Sequence, residues 1–129
     1  MPVLRNARHA LIIAALVITT LARPALAQTY PAQSITFVVA FAAGGIADVV
    51  GRLVGQKLSE KIKQSVIVEN RGGAGGNLGA RTVSTAAPDG YTILATTSAV
   101  AVNDSASRNK GYKTEDLRPV AFVAFSPTW

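Results

Sequence analysis

The residues best placed to do chemistry here are glycines and hydroxyls rather than acids and bases. The stretch Phe41-Ala-Ala-Gly-Gly-Ile-Ala-Asp48 joins an apolar run, Ile35 to Ala40, to an amphipathic segment. Adjacent glycines let the backbone turn sharply and approach a ligand, and the first amides of the following helix have no partner within that helix. Such amides attract carboxylates and phosphates. Phe41, Ala43, Gly44, Gly45 and Ile46 therefore form a candidate anion cradle, although a tight strand-to-helix turn needs the same glycines for geometry alone. Asp48 falls in the first helical turn, where offsetting the helix dipole or capping free amides is a more natural role than ligand contact. Thr97 and Ser98, in a polar loop after a later strand, either offer hydroxyls to the same solute or bond their own local backbone.

Catalytic constellations are hard to build from the remaining residues. The single histidine, His9, lies in the N-terminal leader, and the chain has no cysteine. A Ser-His or Cys-His pair is thereby excluded from the mature chain, and zinc loses its usual ligands. Seven carboxylates are dispersed without metal-ligand spacing, and Ser98 has no base. These features point to a binding protein that is not an enzyme and carries no metal or cofactor.

A second glycine-dense segment, Gly72-Gly-Ala-Gly-Gly-Asn-Leu-Gly79, follows a strand and precedes a helix, the context of a phosphate loop. Read as G-x-G-x-x-G from Gly73, it meets Leu78 where the third glycine belongs, and no Gly-Lys-Ser/Thr occurs. Asp89 sits in a Pro88-Asp89-Gly90 turn rather than at a strand end, where a ribose-binding acid belongs. A dinucleotide site is disfavoured on these grounds.

Residues 1–27 have the three parts of a secretory signal peptide. A basic head (Arg5, Arg8, His9) precedes an apolar stretch from Ala10 to Leu21, and Ala25-Leu26-Ala27 is a small-x-small cleavage site. Cleavage after Ala27 is expected, with export to the periplasm. The apolar stretch is too short for a membrane-spanning helix, which needs about 20 residues. The formal charge of +6 falls to +3 once Arg5, Arg8 and Arg23 leave, with ten Lys and Arg against seven Asp and Glu. That mild balance suits anionic solutes and shows no nucleic-acid stripe. Without disulfides, an exported domain must rely on packing.

Along residues 28–129, Ser34 to Ala40 reads as a strand covered on both faces, the mark of a parallel sheet. From Ile46, apolar residues at 46, 49, 50, 53, 54, 58 and 62 make one face of a helix. Val66 to Val68 is a second strand, Leu78 to Ala86 a helix and Tyr91 to Thr96 a third strand. Asn103 to Lys113 reads as loop, Thr114 to Leu117 as a capped turn and Val120 to Phe125 as a fourth strand. The β-α-β-α-β alternation predicts an α/β fold with a parallel sheet, whose ligands gather beyond the strands' carboxyl ends where strand order reverses. The loops at Gly44-Gly45 and Thr97-Ser98 both belong at that edge.

Phe41 to Asp48 with Arg52, then Val68-Glu-Asn-Arg-Gly-Gly-Ala-Gly-Gly-Asn-Leu-Gly79, then Ala87-Pro-Asp-Gly-Tyr91, together resemble the Bug family, the periplasmic solute receptors of tripartite tricarboxylate transporters. The likeness runs in order from Tyr30 to Pro127. It implies a two-lobed periplasmic binding protein of type II-like architecture that captures a small organic anion, a carboxylate or related metabolite, and delivers it to membrane transporter subunits. The intact receptor is expected to be a monomer. By position, the resemblance assigns ligand contacts to Phe41, Ala43, Gly44, Gly45, Ile46 and Asp48, with Thr97 and Ser98 opposite. The turn at Gly75-Gly76-Asn77 is expected to shape the lobe beside the cleft. On this resemblance residues 28–129 correspond to a truncated, partial first lobe, and weak or undetectable binding by this chain alone is expected.

Three positions depart from the family pattern: Ala40 and Asp104, where proline is common, and Ile46, where a hydroxyl residue is frequent. The last points to less polar ligands. Alternatives left open are a fragment of a dinucleotide-binding oxidoreductase and a non-functional truncated product.

Overall fold

The most buried strand explains the layout. In the computed structural model, which describes residues 29–107 and 109–124, β1 (Ile35–Val39) carries Val38 and Val39 at no more than 1% exposure, with Ile35, Phe37 and Ala40 also buried. A β-branched run buried on both faces needs strands beside it and helices above and below. Both are present. β2 (Val66–Asn70) and β3 (Thr92–Ala95) pair in parallel with opposite edges of β1, giving the order β2-β1-β3. Phe37 lies opposite Val68 on one side and Ile93 on the other. The parallel α/β architecture expected from the alternation is therefore present.

Helix α1 (Ile46–Ile62) covers β1 and β2 on one face, and α2 (Asn77–Ser84) covers β1 and β3. Glycines set both approaches. A Cβ at Gly51 would lie 2.8 Å from Val39 Cγ2, and one at Gly55 would lie 3.2 Å from Val68 Cγ2. On the other helix, a Cβ at Gly79 would fall 2.8 Å from both Cα and Cβ of Ala40. Since Val39 and Ala40 alternate across the strand, α1 and α2 occupy opposite faces of the sheet.

This packing corrects the apolar face read for α1. Gly51, Gly55 and Asp48 are its buried residues, whereas Ile46, Val49 and Leu53 are 75%, 61% and 58% exposed. Periodicity located a stripe, but close backbone approach through glycine turned the helix partly away from it.

Two further expectations are corrected. Residues 99–106, whose second half was read as loop, form helix α3 (Ala99–Ala106), entered through Thr97, whose Oγ1 accepts from the Ala99 amide at 3.2 Å. Asp104, near its end, accepts from the Lys110 ammonium and from the Thr114 hydroxyl (2.6 Å), which ties the 3₁₀ turn Thr114–Asp116 to the helix. The Lys110 bond, then the Thr114 bond, hold its carboxyl below the ordinary range. The other correction is that residues 120–124 form no strand, and Val120 and Phe122 are more than 80% exposed. A strand needs a hydrogen-bonding neighbour, and residues 120–124 pair with none of the three strands. The signal peptide, its cleavage site and Phe125 lie outside the described residues.

The glycine-faced packing of α1 is testable by equilibrium urea unfolding. Gly51→Val, which drives a branched side chain into Val39, should lower stability by about 1–3 kcal/mol. Leu53→Gln, on the exposed stripe, should change it by no more than about 0.5 kcal/mol. The opposite ranking would show that the apolar stripe faces the core.

Candidate functional site

Because β2 and β3 flank β1, the chain leaves β1 toward one side and returns on the other, so strand order reverses between the carboxyl ends of β1 and β3. The backbone there is well tied: the Ala40 amide donates to Ala95 O (3.0 Å), and the Arg71 amide donates to Val39 O (2.8 Å). Just beyond lies an open groove of about 640 Å³, lined by the continuous run Phe41 to Ala47 and by Thr97. Six of the eight residues expected at the site therefore meet there: Phe41, Ala43, Gly44, Gly45, Ile46 and Thr97. Asp48 and Ser98 do not line it.

Asp48 instead faces inward and shapes the loop from beneath. Its carboxylate is 4% exposed and accepts from the Gly44 amide (2.8 Å), from Asn70 Nδ2 (2.9 Å) and from Arg52 Nε (3.0 Å). Asn70 Nδ2 also donates to Phe41 O (3.2 Å), while Arg52 Nη2 donates to Asn70 Oδ1 (3.0 Å). The loop is thus pinned at both ends, at Phe41 O and at Gly44 N. Between them Gly44 adopts φ +82°, a left-handed conformation that a residue with Cβ enters at a cost.

The amides separate into two groups. Those of Gly44 and Gly45 are engaged, by Asp48 and by Ala42 O (3.4 Å) respectively. Gly45 O accepts from Asp48 N and Val49 N (both 3.0 Å), which starts α1, and no side chain caps the helix. The amides of Ile46 and Ala47, in the first turn, have no acceptor within the helix. They supply the positive end of a 17-residue helix to the groove.

The glycine-dense segment supports this loop from the side. A Cβ at Gly72 would lie 3.0 Å from the Ala42 amide, and one at Gly76 would lie 3.6 Å from Phe41 Cζ. Asn103 of α3 then fastens the segment, donating from Nδ2 to Gly75 O (3.0 Å) and to Asn77 Oδ1 (2.9 Å). The two walls of the groove, one at Phe41–Ala47 and the other at the start of α3, are connected through these contacts.

Sequence reasoning missed Ala42 and Ala47 as lining residues, and Asn70 and Asn103 as supports. Ala47 was accessible in principle, since it is the second residue of a helix whose first amides were the premise. Asn70 gave no local signal: it is 22 residues from Asp48 and meets it only because β2 lies beside β1. Ser98 has a helical backbone, and its carbonyl accepts from Val102 N (3.1 Å) to start α3. Thr97 Oγ1 serves its own turn, as the local-backbone alternative allowed. Among the described residues, no group of three or more His, Cys, Asp or Glu is placed to hold a metal.

Hydrogen bonds from Gly44, then Asn70, then Arg52 lower the Asp48 pKa from 3.8 to about 2. The unfolded chain takes up this proton more readily than the native one, so Asp48's contribution to stability is complete above 3.8 and is lost as pH falls through about 2. Urea midpoints measured across that window should fall more steeply for the wild type than for Asp48→Asn, which has no proton to bind. Parallel curves would show that the carboxylate is not held in this way.

Comparison with known proteins agrees with the geometry. Residues 50–129 match the family model described as "Tripartite tricarboxylate transporter family receptor". A UPF0065 protein of Bordetella bronchiseptica is 46% identical over 105 residues, covering 80% of this chain and 31% of the relative. Protein BugT of Bordetella pertussis is 41% identical over 110 residues, covering 83% of this chain and 34% of the relative. A solved "periplasmic transporter" superposes with a TM-score of 0.50 at 48% identity, covering 50% of this chain and 22% of that one. The chain thus spans about a third of the length of the curated relatives it matches. It belongs to the tripartite tricarboxylate transporter receptor family, the Bug proteins.

Proposed function

We propose that this chain supplies one wall of the ligand cleft in an extracytoplasmic receptor that captures a small carboxylate for a tripartite tricarboxylate transporter. The observation that carries the reading is the groove at the strand-order reversal, lined by the first turn of α1, whose leading amides have no acceptor in the helix, and by Thr97. Amides at a helix N-terminus favour an anion without needing a charged side chain. Family membership supplies the transport context. Residues 1–27 act as the signal peptide, cut after Ala27, and residues 28–129 form part of a first lobe. A second lobe closes the cleft, the intact receptor is a monomer, and membrane transporter subunits receive the solute. In this reading Phe41, Ala43, Gly44, Gly45 and Ile46 shape the ligand surface, Thr97 stands on its far side with Ser98 starting the helix behind it, and Asp48 positions the loop. The protein has no catalytic step to perform.

Calorimetric titration of the full-length receptor with small mono-, di- and tricarboxylates tests the proposal. At least one should bind, and Gly44→Ala should weaken it about tenfold, equivalent to about 1.4 kcal/mol. A Cβ at Gly44 meets nothing within 4 Å, so a loss there reports the backbone conformation rather than a clash. Folded receptor that binds no carboxylate would overturn the reading.

A further inference from the structure

The chemistry of the groove's side chains narrows the ligand beyond its charge. Phe41, Ala42, Ala43, Ile46 and Ala47 are apolar, and Thr97 is the only lining residue with a polar side chain. Neither nearby charge is turned to the groove. Asp48 is buried beneath the loop, and Arg52 points back to Asp48 and Asn70. A solute's anionic group therefore meets backbone amides here, while the carbons attached to it meet hydrocarbon.

Ile46 is the side chain that decides which carbons are accepted. It is the first residue of α1, one of the two lining residues whose amides have no acceptor within the helix. It is 75% exposed and lines the groove without being held in the core. Resting on the receptor reading above, we infer that Ile46 makes this wall selective for carboxylates whose carbon next to the carboxylate is unsubstituted, against analogues with a hydroxyl there. A hydroxyl at that carbon loses its water on binding and finds no partner on the isoleucine. A hydroxyl in place of the isoleucine side chain would supply one.

Titration of the full-length receptor with propionate and lactate, and with butyrate and 2-hydroxybutyrate, provides the test. Each pair differs by one hydroxyl on the carbon beside a carboxylate. The wild type should favour the unsubstituted member of each pair, and Ile46→Ser should shift the ratio of dissociation constants about tenfold toward the hydroxylated member. Ile46→Val, which remains apolar, should keep the wild-type ratio. Equal ratios in wild type and Ile46→Ser, with carboxylates still bound, would overturn the selectivity and leave the receptor reading intact. Absence of carboxylate binding in folded wild type would overturn both. The high exposure of Ile46 keeps these substitutions away from the core, and matching circular dichroism melts for the three proteins would verify that.

Discussion

The Asp48 carboxylate accepts hydrogen bonds from the Gly44 amide, Asn70 and Arg52 while almost wholly removed from solvent. A buried charge is costly unless it is paired and hydrogen-bonded, so the surrounding groups are constrained as strongly as the carboxylate itself. Gly44 must point its amide inward, which places it at positive φ. Asn70 must sit at the carboxyl end of β2, next to β1, to reach both Asp48 and Phe41 O. With these conditions met, the loop from Phe41 to Gly45 is fastened at Phe41 O and Gly44 N, and the amides of Ile46 and Ala47 are left without an acceptor in the helix. Two acceptors within the protein have taken the Gly44 and Gly45 amides. The glycines thus shape the loop and leave none of their own amides open.

The sheet supplies the other half of the geometry. A central strand with partners on both edges puts a strand-order reversal beside the same loop, and parallel pairing brings the end of β3 and Thr97 to the same rim. Glycines at 51, 55, 72 and 79 allow helix, strand and loop backbones to approach more closely than any side chain permits. This close approach accounts for two features together: a thin, well-buried centre around Val38 and Val39, and an outer face of α1 that leaves Ile46, Val49 and Leu53 exposed. Asn103 extends the same principle to α3, binding it to the glycine turn that supports Phe41.

Legibility in the sequence followed the range of the interaction. β1, β2, β3 and α1 were readable because β-branched runs and helical periodicity are recorded within a few residues. The strand-to-helix junction was readable for the same reason, including the placement of Asp48 in the first turn. α3 was hidden, since its Ala99-Val-Ala-Val start carries no amphipathic pattern and its N-cap, Ser98, makes no side-chain capping bond. The stretch at Val120 illustrates the opposite error: a strong strand composition makes no strand where it pairs with none of the three strands present.

By itself, the sequence determined the order and type of the principal elements, the glycine junction, and the lack of any cysteine and of any histidine beyond His9. All of these are properties of neighbouring residues or of composition. Tertiary structure alone decided which face of α1 meets the sheet, which of the junction's amides remain open, and that Asn70 and Asn103 support the loop. Those outcomes depend on backbones distant in sequence meeting at ångström range, where a missing Cβ at Gly51 or Gly72 counts for more than the hydrophobicity of the residues beside it.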